Sequence, residues 1–277
     1  MHRLGKYLWR VLLVLSLVPA SLLAQQLLPD GMLHDRDGAS LPKTAAPPLL
    51  AATVPLPRMS AELALQTYQD RSAQQASALA AYSDTTVIEV ELPDSAQHGR
   101  YELTRRYAAP RTLQFTPVRF IGDSFVKGNV IVRLLQSEAE HVGKEESAQT
   151  AISDRNYKFS FKGTEDLEGR PAYVFQIKPR QKRPGLIKGR IWVDPYTGSL
   201  RRVEGSMVKS PSWFVKKVDF VQDYEEIRGF TFPVHLRSVA KARIIGRTVV
   251  DILHRDYVPS AVAPAIHANN TGFASAN

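Results

Sequence analysis

The chain has no cysteine among its 277 residues. That excludes a disulfide framework, a thiolate nucleophile, thiolate metal ligands and a cysteine-borne lipid anchor. Histidine is sparse: His2, His34, His98, His141, His235, His254 and His267 stand apart, and no two fall at metal-ligand spacing on a helix. There is no GxSxG elbow, no phosphate-binding Gly-rich loop and no dinucleotide fingerprint. Apolar runs are short beyond Ala24, and none approaches the ~20 residues that cross a bilayer. Basic residues outnumber acidic ones, 36 to 27, yet zinc-finger spacing and a recognition-helix pattern are lacking, so the charge does not point to nucleic acid. These absences describe a non-catalytic chain without metal or cofactor.

What is present starts at the N-terminus. Arg3, Lys6 and Arg10 precede the apolar run Val11–Ala24, and Gln25 and Gln26 follow. A basic region, a hydrophobic region and a small-residue exit read as a secretory signal over residues 1–24, which places the protein in the periplasm as a soluble, exported chain. Setting aside the three bases of that segment leaves about +6 of the formal +9. The charge is spread over many segments and favours only weak contact with anionic surfaces. Residues 25–58, rich in Pro, Gly, Ala and Asp, read as a mobile leader, or alternatively as a strap held through Leu49, Leu50 and Val54. Residues 59–258 form the folded domain, and the small, polar residues 259–277 read as a disordered tail.

Within the domain, Ser60 is a helix cap with Glu62 in the first turn. Leu65, Tyr68, Ser72, Gln75, Leu79 and Tyr82 recur at helical spacing, so a long helix is expected from Ser60 to Tyr82. From Asp84 the period changes to two. Ile88, Val90 and Leu92 alternate with Glu89 and Glu91, and Tyr101, Leu103 and Tyr107 share a side. Pro117 marks an edge strand or a bulge. The pattern breaks over 123–156, where Leu134, Leu135 and Val142 suit a short helix; a lid and an ordered excursion are both open there. Strands resume with Tyr157, Phe159 and Phe161, then Tyr173, Phe175 and Ile177. The connector Arg180–Gly185, "RQKRPG", is basic and reads as a solvated loop or as a contact for a charged headgroup or partner. Ile191 and Val193 face away from Trp192, and the following "DPYTG" makes Asp194 a turn residue rather than a working carboxylate.

The histidines and acids suggest little chemistry. His235 and His254 are candidates to meet across neighbouring strands, and His254 and Asp256 share a side of one strand. The strands carry far more apolar surface than one helix covers. Two outcomes follow from the pattern alone: a packed core, or a cavity suited to a mostly apolar ligand such as a lipid tail.

The hairpin motifs narrow this. Gly169, Tyr173 and Phe175 fit a "xGxxxYxFxL" pattern with Ile177 in the last place. Ile191 to Asp194, with Leu200 and Arg202, fit "xxWVDxxTxxLxR", and Phe220, Tyr224, Gly229 and Pro233 fit the strand pair that follows. Over Ser60 to Tyr257 the chain resembles the outer-membrane lipoprotein carrier and sorting superfamily, whose members include a periplasmic carrier, an outer-membrane receptor and an envelope-stress regulator. The resemblance implies a mainly β fold with helix: an unclosed antiparallel half-barrel of about eleven strands, covered by the long helix and a lid segment. It implies a concave face that holds acyl chains, with Ile88, Val90, Tyr101, Leu103, Phe115, Phe159, Phe161, Phe175, Phe214, Val218 and Phe220 as lining candidates. Alternation does not say which face of each strand is inward. Arg105 is the candidate for the arginine with which the carrier ties its lid helices to the sheet. The leader before Ser60 and the polar 123–156 excursion depart from the carrier's pattern. The expected partners are lipid or lipoprotein acyl chains, with an envelope protein as the alternative partner of a sensing or interaction domain on the same scaffold. A hydrolase assembled from distant acids and histidines is the weakest reading.

Overall fold

Ten segments of period-two alternation pair into one antiparallel sheet. The computed structural model describes residues 57–143, 147–209, 215–243 and 246–261. The signal region, nearly all of the leader, Phe214 and the end of the tail lie outside the described residues. The strands are β1 (Leu79–Leu92), β2 (Gln97–Ala108), β3 (Thr112–Gly122), β4 (Tyr157–Leu167), β5 (Arg170–Pro179), β6 (Ile187–Val193), β7 (Leu200–Met207), β8 (Val215–Ile227), β9 (Phe230–Ala242) and β10 (Gly246–Ala261). Their order is β3-β2-β1-β10-β9-β8-β7-β6-β5-β4, so β3 and β4 are edges and the sheet is unclosed. Among the described residues there are ten strands, where the resemblance implied about eleven. Pro117 lies on edge strand β3, opposite a register shift at Glu102 and Leu103, as its missing donor requires.

The two faces differ in chemistry. One cross-strand row passes through every strand: Phe120, Tyr101, Ile88, Ile252, Leu236, Gln222, Val203, Ile191, Phe175 and Phe161. Only Gln222 is polar, and its Oε1 accepts the Tyr224 hydroxyl at 2.8 Å. The opposite face carries ion pairs: Arg100 with Glu89, Arg202 with Asp223, and Arg190 with Glu204 at 3.2 Å. Burial of the apolar row defines the inner face. Trp192 packs on the outer face with Leu167, Ala172 and Val174, opposite in direction to Ile191 and Val193 as its position in the alternation predicts.

Helix α1 spans Ala61–Ala78, four residues shorter than the periodicity predicts. The Ser60 hydroxyl caps it by accepting the Leu63 N–H at 3.2 Å. Leu79 and Tyr82 hold helical spacing but belong to β1. The reason is tertiary: Leu79, Ala81 and Tyr82 pair with Ala261, Ser260 and Pro259. The same pairing carries β10 three residues into the segment read as tail. The change of period therefore comes at Leu79, and Asp84 lies inside a strand rather than at its start.

The second helical segment resolves the 123–156 break. A turn at Ser124–Val126 and a wide π turn at Lys127–Ile131 lead into α2 (Val132–Gly143); a short α3 (Ser147–Thr150) follows. Leu134 and Leu135 are buried as expected, and Val142 is half-buried. Helix α2 lies against β3, while α1 packs against β1 and β6.

Helix α1 is anchored on two strand connections. Met59 N–H donates to Pro195 O at 2.9 Å, and Arg71 donates to Thr197 O at 2.8 Å and Glu226 Oε2 at 2.7 Å. The Gln75 side chain exchanges two 3.0 Å bonds with the backbone of Thr231. Ala64 is fully buried, and the close approach depends on Gly198, which has φ +69°. A Cβ there would stand 2.6 Å from Thr67 Cγ2. Gly198→Ala is expected to destabilise the fold by about 1–3 kcal/mol, from the left-handed backbone and the displaced helix together. Urea unfolding measures it; an unchanged midpoint would contradict this account of α1 docking.

Candidate functional site

The inner face collects most of the lining candidates. Ile88, Val90, Tyr101, Leu103, Phe175 and Phe220 are buried in one cluster with residues of α1 and α2. Phe115 and Phe159 are half-buried against that cluster, and Val218 is buried. Phe161 is the exception. It sits on edge strand β4 with 46% of its surface exposed, its ring 5.6 Å from Tyr173 and 5.5 Å from Phe175. Phe214 lies outside the described residues. The face is thus apolar, continuous and covered by helices, with an aromatic rim at the β4 edge.

The cover is fastened by charge. Arg105 is 5% exposed on the inner side of β2 and points its guanidinium at three elements. Its Nε meets Asp84 Oδ2 on β1 at 2.8 Å, one Nη meets Glu138 Oε1 on α2 at 2.8 Å, and the other donates to Tyr257 Oη on β10 at 2.8 Å. Tyr257 donates its own O–H to Pro233 O on β9 at 2.7 Å, and the Tyr82 ring lies 5.3 Å below the guanidinium carbon. The Thr86 hydroxyl donates to Asp84 Oδ1 at 2.6 Å, so the 2.9 Å contact between Thr86 Oγ1 and His254 Nδ1 is met by an N–H of the ring. The candidate Arg105 therefore does join a helix of the 123–156 segment to the sheet.

The surroundings set the charges. Burial alone would raise the Asp84 carboxyl, but Arg105, with His254 and Thr86, outweighs it and holds the group down at about 2. Burial, then the Arg105 charge, pushes His254 below 6.5, against the opposing pull of Asp84 and Glu138. Asp84 is ionised and His254 neutral near pH 7. Such a cluster holds position, but a neutral, buried histidine bonded through Nδ1 to a threonine is poorly placed to act on a substrate.

The other sequence candidates fall elsewhere. Asp194 Oδ1 accepts the N–H groups of Tyr196 and Thr197 at 2.9 and 3.0 Å, which is the work of a turn residue. His235 and His254 do not meet: His235 pairs across with Leu253, so His254 projects to the opposite face. His235 instead lies on the outer face, 3.0 Å from Asp251 and 3.8 Å from Asp223. His254 and Asp256 do not share a side either. Asp256 takes φ 58° at an irregularity in β10, which turns it out to solvent while His254 stays buried. An outer-face hollow of about 690 Å³ runs past His235, Asp223, Asp251, Glu89 and Arg100. Its charged walls make it a poor match for an acyl chain. Among the described residues no group of three His, Asp or Glu is arranged to hold a metal ion.

Asp84 and Glu138 were the residues the sequence reading missed. A signal existed: Asp84 and Arg105 occupy inward positions of alternating strands, in series with Ile88 and with Tyr101 and Leu103. A charge at an inward position requires a partner.

No protein-family model and no curated protein matches the chain. Among solved structures it is similar to a LolA superfamily protein from Nitrosomonas europaea, at 13% identity over 73% of this chain and 94% of that chain, with a TM-score of 0.35. It is also similar to a DUF1329 family protein from Desulfovibrio piger, at 12% identity over 73% and 93%, TM-score 0.36. A third is a chain of the Pseudomonas aeruginosa MucA/MucB complex, at 12% identity over 73% and 98%, TM-score 0.23. Likenesses of this grade carry no argument about what the chain binds.

Removing Arg105 strands two carboxylates. Arg105→Met is expected to cost about 3–5 kcal/mol in urea unfolding, and to cost less in an Asp84→Asn background. Equal loss in both backgrounds would mean that the pair is not coupled.

The pH dependence has a definite sign. His254 is lowered in the fold, so below about 6.5 the unfolded chain takes a proton that the native site, facing Arg105, resists. Stability should fall as pH drops from 7 towards 5, and His254→Gln should flatten that slope. Asp84 adds a second loss only as pH falls from about 4 towards about 2. Parallel slopes for wild type and His254→Gln between pH 7 and 5 would refute the assignment.

Proposed function

We propose that the chain is a non-catalytic carrier of lipid or lipoprotein acyl chains in the cell envelope, with the inner face of the sheet as its binding surface. The observation that carries this is the apolar row through all ten strands, interrupted only by Gln222. Each CH₂ buried on such a surface contributes about 0.8 kcal/mol, so one acyl chain supplies enough to compete with the helices that cover it. Helix α2 is held through a carboxylate on Arg105 as well as through Leu134 and Leu135, so its attachment depends on charge geometry that a small shift breaks. Phe161, exposed at the β4 edge beside Tyr173 and Phe175, offers a first apolar contact at the rim. The signal-like N-terminus supports export to the compartment where such a carrier works.

A second reading, a protein-docking domain, is favoured by edge strand β3. Val118 and Ile121 are 63% and 48% exposed there, beside a strand edge with no partner among the described residues.

The mature chain, purified without detergent from its native envelope, is expected to retain acyl lipid detectable by mass spectrometry. Phe161→Ser should lower the retained amount severalfold while changing stability by about 1 kcal/mol or less, because the ring is half out of the core. A chain that holds no lipid and takes none from vesicles, but crosslinks in cells to one protein through Val118 or Ile121, would replace the carrier reading by the docking one.

A further inference from the structure

The basic connector between β5 and β6 is largely exposed, as a solvated loop would be, but it is tethered. Arg180 and Arg183 fold back onto the loop that precedes β4, and with Arg155 they line a cleft of about 200 Å³. Asn156, Gln181 and Leu186 complete its wall. Each tether leaves donors over. Arg180 donates from Nε to Asp154 O at 2.7 Å, so both terminal nitrogens are spare. Arg183 uses one Nη for Gln149 O at 2.6 Å and Asn156 Oδ1 at 2.7 Å, and its Nε is buried without a hydrogen-bond partner. Arg155 is exposed and has no hydrogen bond or ion pair among the described residues.

Three guanidinium groups around one cleft repel one another, and among the described residues no acidic side chain lines it. Asp154 contributes only its backbone carbonyl to Arg180. An anion removes the conflict, and planar forked donors match phosphate oxygens best. The cleft is large enough for a phosphate and its waters but not for a lipid. Its apolar wall supplies the link to the rest of the molecule: Leu186 is 1% exposed and belongs to the same cluster as the inner-face residues. Next to Asn156, Tyr157 is buried in that cluster, and its hydroxyl accepts the Ile187 N–H at 3.1 Å. The cleft therefore opens where the apolar face ends.

We propose that Arg155, Arg180 and Arg183 form a phosphate-binding site at the end of the inner face. Its occupant is a phosphate group, either free or as the headgroup of a lipid whose tails lie on that face; the second source rests on the carrier reading. Of the three residues, Arg155 is the one whose loss leaves the fold untouched.

The mature chain is titrated by calorimetry with three soluble probes: inorganic phosphate, dioctanoylphosphatidic acid and dioctanoylglycerol. Arg155→Gln/Arg180→Gln is compared with wild type, thermal melting checks its fold, and Arg183→Lys serves if that pair fails to fold. A lipid headgroup site predicts that wild type binds the phosphatidic acid about tenfold more tightly than the glycerol lipid, and that the variant loses this preference yet binds the glycerol lipid as before. A site for free phosphate predicts inorganic phosphate binding in wild type, lost in the variant, with no preference between the lipids. A folded variant that matches wild type on every probe overturns the site, as does a wild type that binds no phosphate and shows no preference. The carrier reading fails separately, if wild type binds neither lipid.

Discussion

A single guanidinium, Arg105, joins the sheet to its second helix. It meets Asp84 on β1, Glu138 on α2 and Tyr257 on β10, and Tyr257 extends the chain of bonds to β9. Burying such a group is expensive unless every partner is present, so the five elements are correct together or not at all. The neighbouring aromatic rings exclude water: Tyr257 stacks on Phe232 with centroids 4.3 Å apart, and Tyr82 stacks on Tyr107 at 5.2 Å. In that dry setting the Coulomb attraction is strong and directional. It holds α2 in one place on the sheet.

The rest of the architecture follows from the difference between the two faces. The outer face is satisfied by exposed ion pairs and by the small cluster around Trp192, which donates its indole N–H to Glu165 at 3.0 Å. The inner face, apolar apart from Gln222 and the network around Arg105, must be covered. Helix α1 does this from one end with Ala61, Ala64 and Tyr68, and α2 from the other with Leu134 and Leu135. Neither helix reaches the β4 edge fully, which is why Phe161 remains exposed while its neighbour Phe175 is buried. On the carrier reading proposed above, this separately fastened cover is what an acyl chain would displace.

Much of this was legible from residues. Ser60 as a cap, Pro117 on an edge strand, Asp194 as a turn acid and the opposed directions of Ile191 and Trp192 each rest on local chemistry, and each stands in the structure. Three of the errors have one origin. Leu79 and Tyr82 keep helical spacing, yet β10 arrives from more than 170 residues away and captures them as strand. The same pairing takes Pro259 to Ala261 out of the tail, and an irregularity in it turns Asp256 away from His254. Local pattern records a preference of a few tenths of a kcal/mol per residue, and a run of ladder hydrogen bonds overrides it.

By itself the sequence determined the period of each element, the positions of the turns and the amount of apolar surface to be hidden, because these depend on side chains a few residues apart. Only the tertiary structure decided which face of each strand turns inward, that Arg105 finds Glu138, and that Arg155 stands beside Arg180 and Arg183. Those are distances between residues remote in the chain. Strand order and register set them, and a shift of one residue would send the strand side chains among them to the other face.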